Sequence, residues 1–105
     1  MKTSELTGAA LIWAVAKCEG IDYMKDDVRF RGAYARKYST DWARGGPIIE
    51  REKIDVMWCG DRWCAYTMCG DKQLVTEGDT PLITAMRGYV ASKLGDEVEL
   101  PEELS

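Results

Sequence analysis

The fold of this chain is decided by residues 54–75, which read IDVMWCGDRWCAYTMCGDKQLV. Ile54, Val56 and Trp58 alternate with Asp55 and Met57, which indicates the two-residue period of a strand. Turns are expected at 59–62 and at Gly70-Asp71, because short Gly-containing turns join antiparallel strands. The stretch therefore predicts a meander of three strands, over 54–58, 63–69 and 73–75.

A helix is predicted after this meander. Thr80 can cap it, Pro81 suits the first helical position and Gly95 can end it. The residues expected on its inward stripe are Leu82, Met86, Tyr89, Val90 and Leu94, with Ile83 and Ala85 beside them.

A second helix is predicted before the meander, over residues 4–18, with Thr3 or Ser4 as its cap and Gly20 as its end. It is apolar nearly all round, so it lies either between other elements of the domain or against a partner chain, and a homo-oligomer is predicted on the second alternative. Val28 and Phe30 indicate one more, half-exposed strand over 27–32.

Helix, strands and helix together predict an α+β fold. Both helices are expected to cover one face of a small antiparallel sheet. At 105 residues the chain is expected to form a single domain, residues 1–105.

Composition excludes several functions. The net charge of −4 argues against binding of nucleic-acid polymers, which favours a basic surface. No apolar run is long enough to span a membrane and no signal peptide is visible, so a cytoplasmic protein without membrane contact is expected.

The sequence contains few of the residue patterns that catalytic and metal sites require. The chain contains no histidine, and its four cysteines lack the paired spacing of a zinc site, so they are expected to be buried thiols. We therefore predict no metal, no cofactor, no catalytic residues and no enzymatic activity.

Residues 38–52, which read YSTDWARGGPIIERE, are the candidate recognition segment. Their composition predicts a loop in which Ser39 or Thr40 caps a single helical turn and the Gly-Gly-Pro sequence ends it. Aromatic faces suit stacking on a base, an arginine fork suits phosphate, and glycine N–H groups can approach an anion. The predicted ligand-binding residues are Tyr38, Ser39, Thr40, Asp41, Trp42, Arg44, Gly45, Gly46, Pro47 and Arg51, with Thr80 at the start of the last helix as a second anion site.

Each member of this set has a structural alternative. Trp42 can fill the core beneath the loop, Gly45-Gly46-Pro47 can form a simple turn, and Asp41 can cap its own loop. The residues alone leave these alternatives open.

Three blocks of the chain resemble the NinX-like family of small proteins from lambdoid phages and prophages. They are residues 2–20 without 12, residues 39–52 without 43–44, and residues 80–98 without 84 and 88. Two positions depart from the family pattern: Ile12 stands where an acidic residue is expected and Gly88 where a larger residue is usual. The resemblance implies a phage accessory protein expressed inside a bacterium.

Three functions follow as hypotheses. The first is sequestration of a small, anionic, aromatic ligand such as a nucleotide immune signal of the host, by analogy with other small phage proteins. The second is inhibition of a host or phage enzyme through an exposed apolar face that includes Leu11, Ile12 and Val15. The third is weak nucleotide hydrolysis that depends on Asp41 or Glu50.

Overall fold

The computed structural model describes residues 1–20 and 41–100. The elements in chain order are a 3₁₀ turn (Thr3–Glu5), α1 (Gly8–Cys18), α2 (Trp42–Glu52), β1 (Asp55–Trp58), β2 (Trp63–Cys69), β3 (Lys72–Gly78) and α3 (Pro81–Leu94). The strand predicted over 27–32 and the candidate residues Tyr38, Ser39 and Thr40 lie outside the described residues.

The predicted meander is confirmed. The three strands form an antiparallel sheet in the order β1-β2-β3, with Val56 opposite Ala65 and Ala65 opposite Thr76. Cys59 donates its N–H to the Arg62 carbonyl at 2.9 Å, which closes the first turn. The third strand is longer than predicted, because it pairs along the whole length of β2.

The last helix is also confirmed as predicted. Thr80 Oγ1 accepts the Ile83 N–H at 3.1 Å, Pro81 begins the helix, and Gly95 follows its end with a φ of +86°. Helix α3 packs against the sheet and also against α1 and α2, so it is the central element of the fold. Its buried residues include Leu82, Ala85, Met86, Tyr89 and Val90.

Gly88 lets α3 lie very close to the sheet. A Cβ at this position would overlap the Thr67 hydroxyl and lie 3.1 Å from Thr76 Oγ1. The departure from the family pattern at Gly88 is therefore accounted for by the close contact of helix and sheet.

Helix α1 begins four residues later than predicted. Neither Thr3 nor Ser4 caps it, because residues 3–5 form a separate 3₁₀ turn and Thr7 precedes the helix. Thr3 instead joins the two ends of the chain: its hydroxyl donates to the Gly95 carbonyl at 2.6 Å and its N–H donates to the Asp96 carbonyl at 2.8 Å. Thr3 therefore forms these long-range hydrogen bonds instead of capping α1.

All residues from Leu11 to Ala16 are buried within the chain. Of the two explanations for a helix that is apolar all round, burial between elements of the same domain is the one observed. The proposed docking face of Leu11, Ile12 and Val15 was wrong, because these side chains are not exposed. The homo-oligomer stays a prediction, but an exposed apolar face on α1 no longer supports it. The α+β fold class is confirmed.

Candidate binding surfaces

The candidate recognition segment is a helix where the structure describes it. Helix α2 continues through Gly45, Gly46 and Pro47 to Glu52, so the predicted loop and its Gly-Gly-Pro stop were wrong. Asp41 begins the helix, since its Oδ1 accepts the Ala43 N–H at 3.0 Å. Burial of Gly45 and Ile48 on one side of the helix offsets the weak helix propensity of its glycines and proline.

The two glycines do not form an anion-binding nest. Gly45 is buried and donates its N–H to the Asp41 carbonyl at 2.9 Å within the helix. Gly46 lies in the helix interior, beneath the Trp42 ring. A role for Gly45 and Gly46 in ligand binding stays a prediction, but without the loop geometry that motivated it.

Trp42 is on the surface. Its side chain is 54% exposed, and ring atom Cε3 lies 3.9 Å from the position that a Cβ on Gly46 would take. The alternative that Trp42 fills the core is therefore wrong. Arg44 and Pro47 are exposed on the same helix.

Arg51 belongs to an ion cluster that joins all three helices. It donates to Glu19 through two nitrogens, at 3.2 and 2.7 Å, and to Glu52 at 2.9 Å. The Tyr89 hydroxyl donates to Glu19 at 2.5 Å and accepts from Arg51 at 3.1 Å, while Lys93 pairs with Glu52 at 3.3 Å. We refer to Glu19, Arg51, Glu52, Tyr89 and Lys93 as the ion cluster; it holds the ends of α1 and α2 against α3.

Ionisation in the cluster follows from these contacts. Partial burial opposes the charge of Glu19, but hydrogen bonds from Arg51 and Tyr89 outweigh it and lower the pKa of the carboxyl. Burial and then the bond to Glu19 raise the pKa of the Tyr89 hydroxyl. Arg51 is thus occupied by carboxylates, which leaves it poorly suited to the free phosphate-binding role that its sequence position suggested.

The lowered pKa of Glu19 predicts acid sensitivity. In the folded state the pKa of the Glu19 carboxyl lies below its ordinary value of 4.5. The carboxylate therefore contributes its full stabilisation at pH values above 4.5, and this contribution is lost as pH falls through the folded pKa. We expect Glu19→Gln to flatten this part of the pH dependence in urea unfolding between pH 7 and pH 3. An unchanged profile would contradict the role given to Glu19, and Glu5→Gln, a change at an exposed carboxylate, is the matched control.

Thr80 is exposed, and its hydroxyl oxygen caps its own helix. Three surface clefts lie elsewhere, two beside β3 and one between Met1 and residues 97–100. Neither Thr80 nor any described candidate of the recognition segment lines them.

The cysteines are not uniformly buried, contrary to expectation. Cys59 and Cys69 are exposed, Cys18 is intermediate and Cys64 is buried. Burial, and then the Glu19 carboxylate, raise the pKa of the Cys18 thiol to about 12. A hydrogen bond with Cys59 is the main cause that raises the pKa of Cys64 to about 11, so neither thiol is activated as a nucleophile.

The sheet face turned away from α3 carries an apolar patch. Met57, Met68 and Val75, one from each strand, are 50%, 54% and 55% exposed. Tyr66 lies between them in the sheet, opposite Val75. We call Met57, Tyr66, Met68 and Val75 the outer patch. The strand period assigns these residues to one face, but the sequence contains no direct sign that this face is uncovered.

Two clefts run beside β3 and share Ser4, Val75 and Thr76. Together we call them the edge cleft. The remaining residues that line it are Lys2, Thr3, Asp61, Arg62, Leu74, Glu77, Gly78, Asp79, Arg87, Ala91, Asp96 and Glu97. Arg87 stands at this edge, where its Nε donates to the Leu6 carbonyl at 2.8 Å and its Nη1 to the Glu77 carbonyl at 2.7 Å.

In a comparison with protein families, the family described as "Bacteriophage P22, NinX" matches residues 2–93. The chain belongs to this NinX family. The resemblance inferred from the three sequence blocks is thereby confirmed. A search of the curated proteins finds no match.

In this NinX-family chain the apolar residue at position 12, where the family pattern has an acidic one, agrees with the structure, because the Ile12 side chain is buried in α1. Within residues 1–20 and 41–100, no helix is long and apolar enough to cross a membrane. The same residues contain no group of three or more cysteine, aspartate or glutamate side chains that could hold a metal ion.

Proposed function

We propose that this NinX-family chain is a non-catalytic phage accessory protein that acts in the cytoplasm of the bacterial host by binding, and thereby inhibiting, a host or phage enzyme. The outer patch is proposed as the contact surface. The observation that carries this proposal is the exposure of Met57, Met68 and Val75 on three adjacent strands.

Single exposed apolar residues are common on soluble proteins, whereas a contiguous patch indicates an interaction surface. Methionine suits such a surface, because its unbranched side chain adapts its shape to a partner. A sheet face is also broad, which suits a protein better than a small ligand. Charged residues at its rim, among them Asp55 and Glu77, can orient the partner.

Sequestration of a nucleotide-like ligand is the second candidate. It is favoured by the exposed Trp42 ring at the start of α2, with exposed Arg44 two residues later. It is weakened because the Arg51 guanidinium is already paired with Glu19 and because Gly45 and Gly46 are helical. Hydrolysis through Asp41 or Glu50 stays a prediction, and Asp41 is already engaged as the cap of α2.

Charge placed in the outer patch is expected to abolish partner binding. The tagged protein would be used to capture partners from phage-infected host cells, as the unmodified chain and as Met57→Glu and Met68→Glu. We expect a partner that is retained by the unmodified chain and by Trp42→Ser, but whose capture falls at least tenfold with either glutamate, because a carboxylate buried without a partner is strongly unfavourable.

Trp42→Ser is the matched control, since Trp42 is exposed to the same extent as Met68 but lies on α2. Capture that survives both glutamate variants would overturn the proposal. Loss with Trp42→Ser alone, together with thermal stabilisation of the protein by cyclic dinucleotides or ADP-ribose derivatives, would favour the nucleotide candidate instead.

A further inference from the structure

We propose that the edge of β3 that faces away from β2 takes up an extended, positively charged segment of a partner protein as a fourth strand of the sheet. This inference rests on the proposed partner binding and specifies one way in which the partner is held. The edge cleft, which follows β3, is the site.

The hairpin register determines which backbone groups of β3 face outward. Gly70-Asp71 is a two-residue turn, and Cys69 lies opposite Lys72 beside it. The residues that flank such a turn form a hydrogen-bonded pair, as Cys59 and Arg62 do at the equivalent turn between β1 and β2. The alternation of an antiparallel ladder then directs the N–H and C=O groups of residues 73, 75 and 77 away from β2.

The position of Arg87 agrees with this assignment. Its guanidinium donates to the Glu77 carbonyl, which must therefore be accessible from the outer edge. Gln73 and Val75 remain with outward N–H and C=O groups, and among the described residues β3 pairs with β2 alone. Unpaired edge groups of this kind are what a peptide uses when it extends a sheet.

The cleft also provides contacts for side chains. Leu74 and Thr76 belong to the sheet face that carries α3, while Val75 belongs to the opposite face, and all three line the edge cleft. A peptide strand places successive side chains on alternate faces, so it can contact both sides of this edge. Ser4, from the 3₁₀ turn, lies at the part where the two clefts meet.

Charge indicates the chemistry of the segment. Five acidic and three basic residues line the edge cleft, which gives it a net charge of −2. Arg62 is already paired with Asp61 and Glu77. No ion pair joins Asp79, Asp96 or Glu97 to another residue of the described part. These carboxylates are therefore available to lysine or arginine side chains of the bound segment.

The test uses three synthetic octapeptides and the backbone amide NMR spectrum of the full chain. The first peptide alternates lysine with valine, the second has glutamate in place of lysine, and the third is the lysine peptide with a methyl group on every backbone amide nitrogen, so that it cannot pair through either set of alternating N–H groups. We expect the lysine peptide to shift the amide signals of Gln73 and Val75 and to slow their hydrogen exchange. We expect the other two peptides to bind at least tenfold more weakly, because one has the wrong charge and the other cannot complete the ladder.

Variants of the protein give a second measurement. Asp79→Lys and Glu97→Lys are each expected to weaken binding of the lysine peptide at least threefold, whereas Asp71→Lys, in the β2–β3 turn outside the cleft, is expected to leave it unchanged. No shift at Gln73 and Val75 at any peptide concentration, or equal binding of the N-methylated peptide, would overturn the inference. Met57→Glu separates the two proposals, because it lies on β1 and is expected to abolish partner capture without changing peptide binding.

Discussion

Replacement of Tyr89 with alanine is expected to lower the free energy of unfolding by about 3–5 kcal/mol, as for other large aromatic side chains in a core. Tyr89 is buried in α3, the helix that contacts the sheet and both other helices. Its ring is part of the core, and its hydroxyl bonds to Glu19 and Arg51. The substitution therefore creates a cavity and also removes the centre of the ion cluster.

Tyr89→Phe separates these two contributions. It keeps the ring and removes the hydroxyl, so we expect a loss of about 1.5–3 kcal/mol, the usual range for hydrogen bonds to charged groups. Urea unfolding at pH 7 measures both variants. Equal losses for alanine and phenylalanine would contradict the role of the ring in the core, and a loss below about 1 kcal/mol for Tyr89→Ala would contradict the central position of α3.

Alanine substitution at two helical glycines, Gly88 and Gly46, is expected to have effects of different size. Gly88→Ala should destabilise the fold by about 1–3 kcal/mol through overpacking, reduced by up to about 1 kcal/mol of improved helix propensity, because the new methyl group overlaps the Thr67 hydroxyl. Gly46→Ala should change it by less than about 1 kcal/mol, because the gain in helix propensity is opposed by crowding between the new Cβ and the ring of Pro47, while Trp42 Cε3 lies at an ordinary contact distance of 3.9 Å.

Thermal and urea unfolding of the two variants test this pair. In the double variant Thr67→Ala/Gly88→Ala the hydroxyl is absent, so the penalty of Gly88→Ala measured in the Thr67→Ala background should shrink. Stabilisation by Gly88→Ala, or an unchanged penalty in that background, would contradict the close packing of α3 on β2.

The parts of the fold that were predicted are those with local signals that agree with the tertiary structure. The two-residue period fixes the strands of the meander, and Thr80, Pro81 and Gly95 mark both ends of α3. The start of α1 was misplaced because Thr3 forms hydrogen bonds with residues 95 and 96, a long-range contact that no local pattern indicates.

Helix α2 was missed for a different physical reason. Gly45, Gly46 and Pro47 have the lowest intrinsic helix propensities, and tertiary burial of Gly45 and Ile48 overrides them. The local signals place the cap of a single helical turn at Ser39 or Thr40 and give Asp41 as a cap of its own loop, whereas Asp41 is the residue that caps α2.

The candidate surfaces were predicted less well than the fold. Trp42 and Arg44 are exposed, as a binding role requires, but the charge of Arg51 is occupied by Glu19 and Glu52. The outer patch and the edge cleft depend on which elements cover each side of the sheet, and residue alternation gives the two faces without saying which one α3 covers.

The most direct test of the proposed function is methionine oxidation in the presence and absence of the partner. Met57 and Met68 of the outer patch are 50% and 54% exposed, Met1 is 56% exposed outside the patch, and Met86 is buried. Brief treatment with hydrogen peroxide, followed by mass spectrometry, measures sulfoxide formation at each thioether. We expect the free protein to be oxidised at comparable rates at Met1, Met57 and Met68. In phage-infected host extract, Met57 and Met68 should be protected at least fivefold while Met1 is not. Equal oxidation of all three in the free and the captured protein would contradict binding through the outer patch.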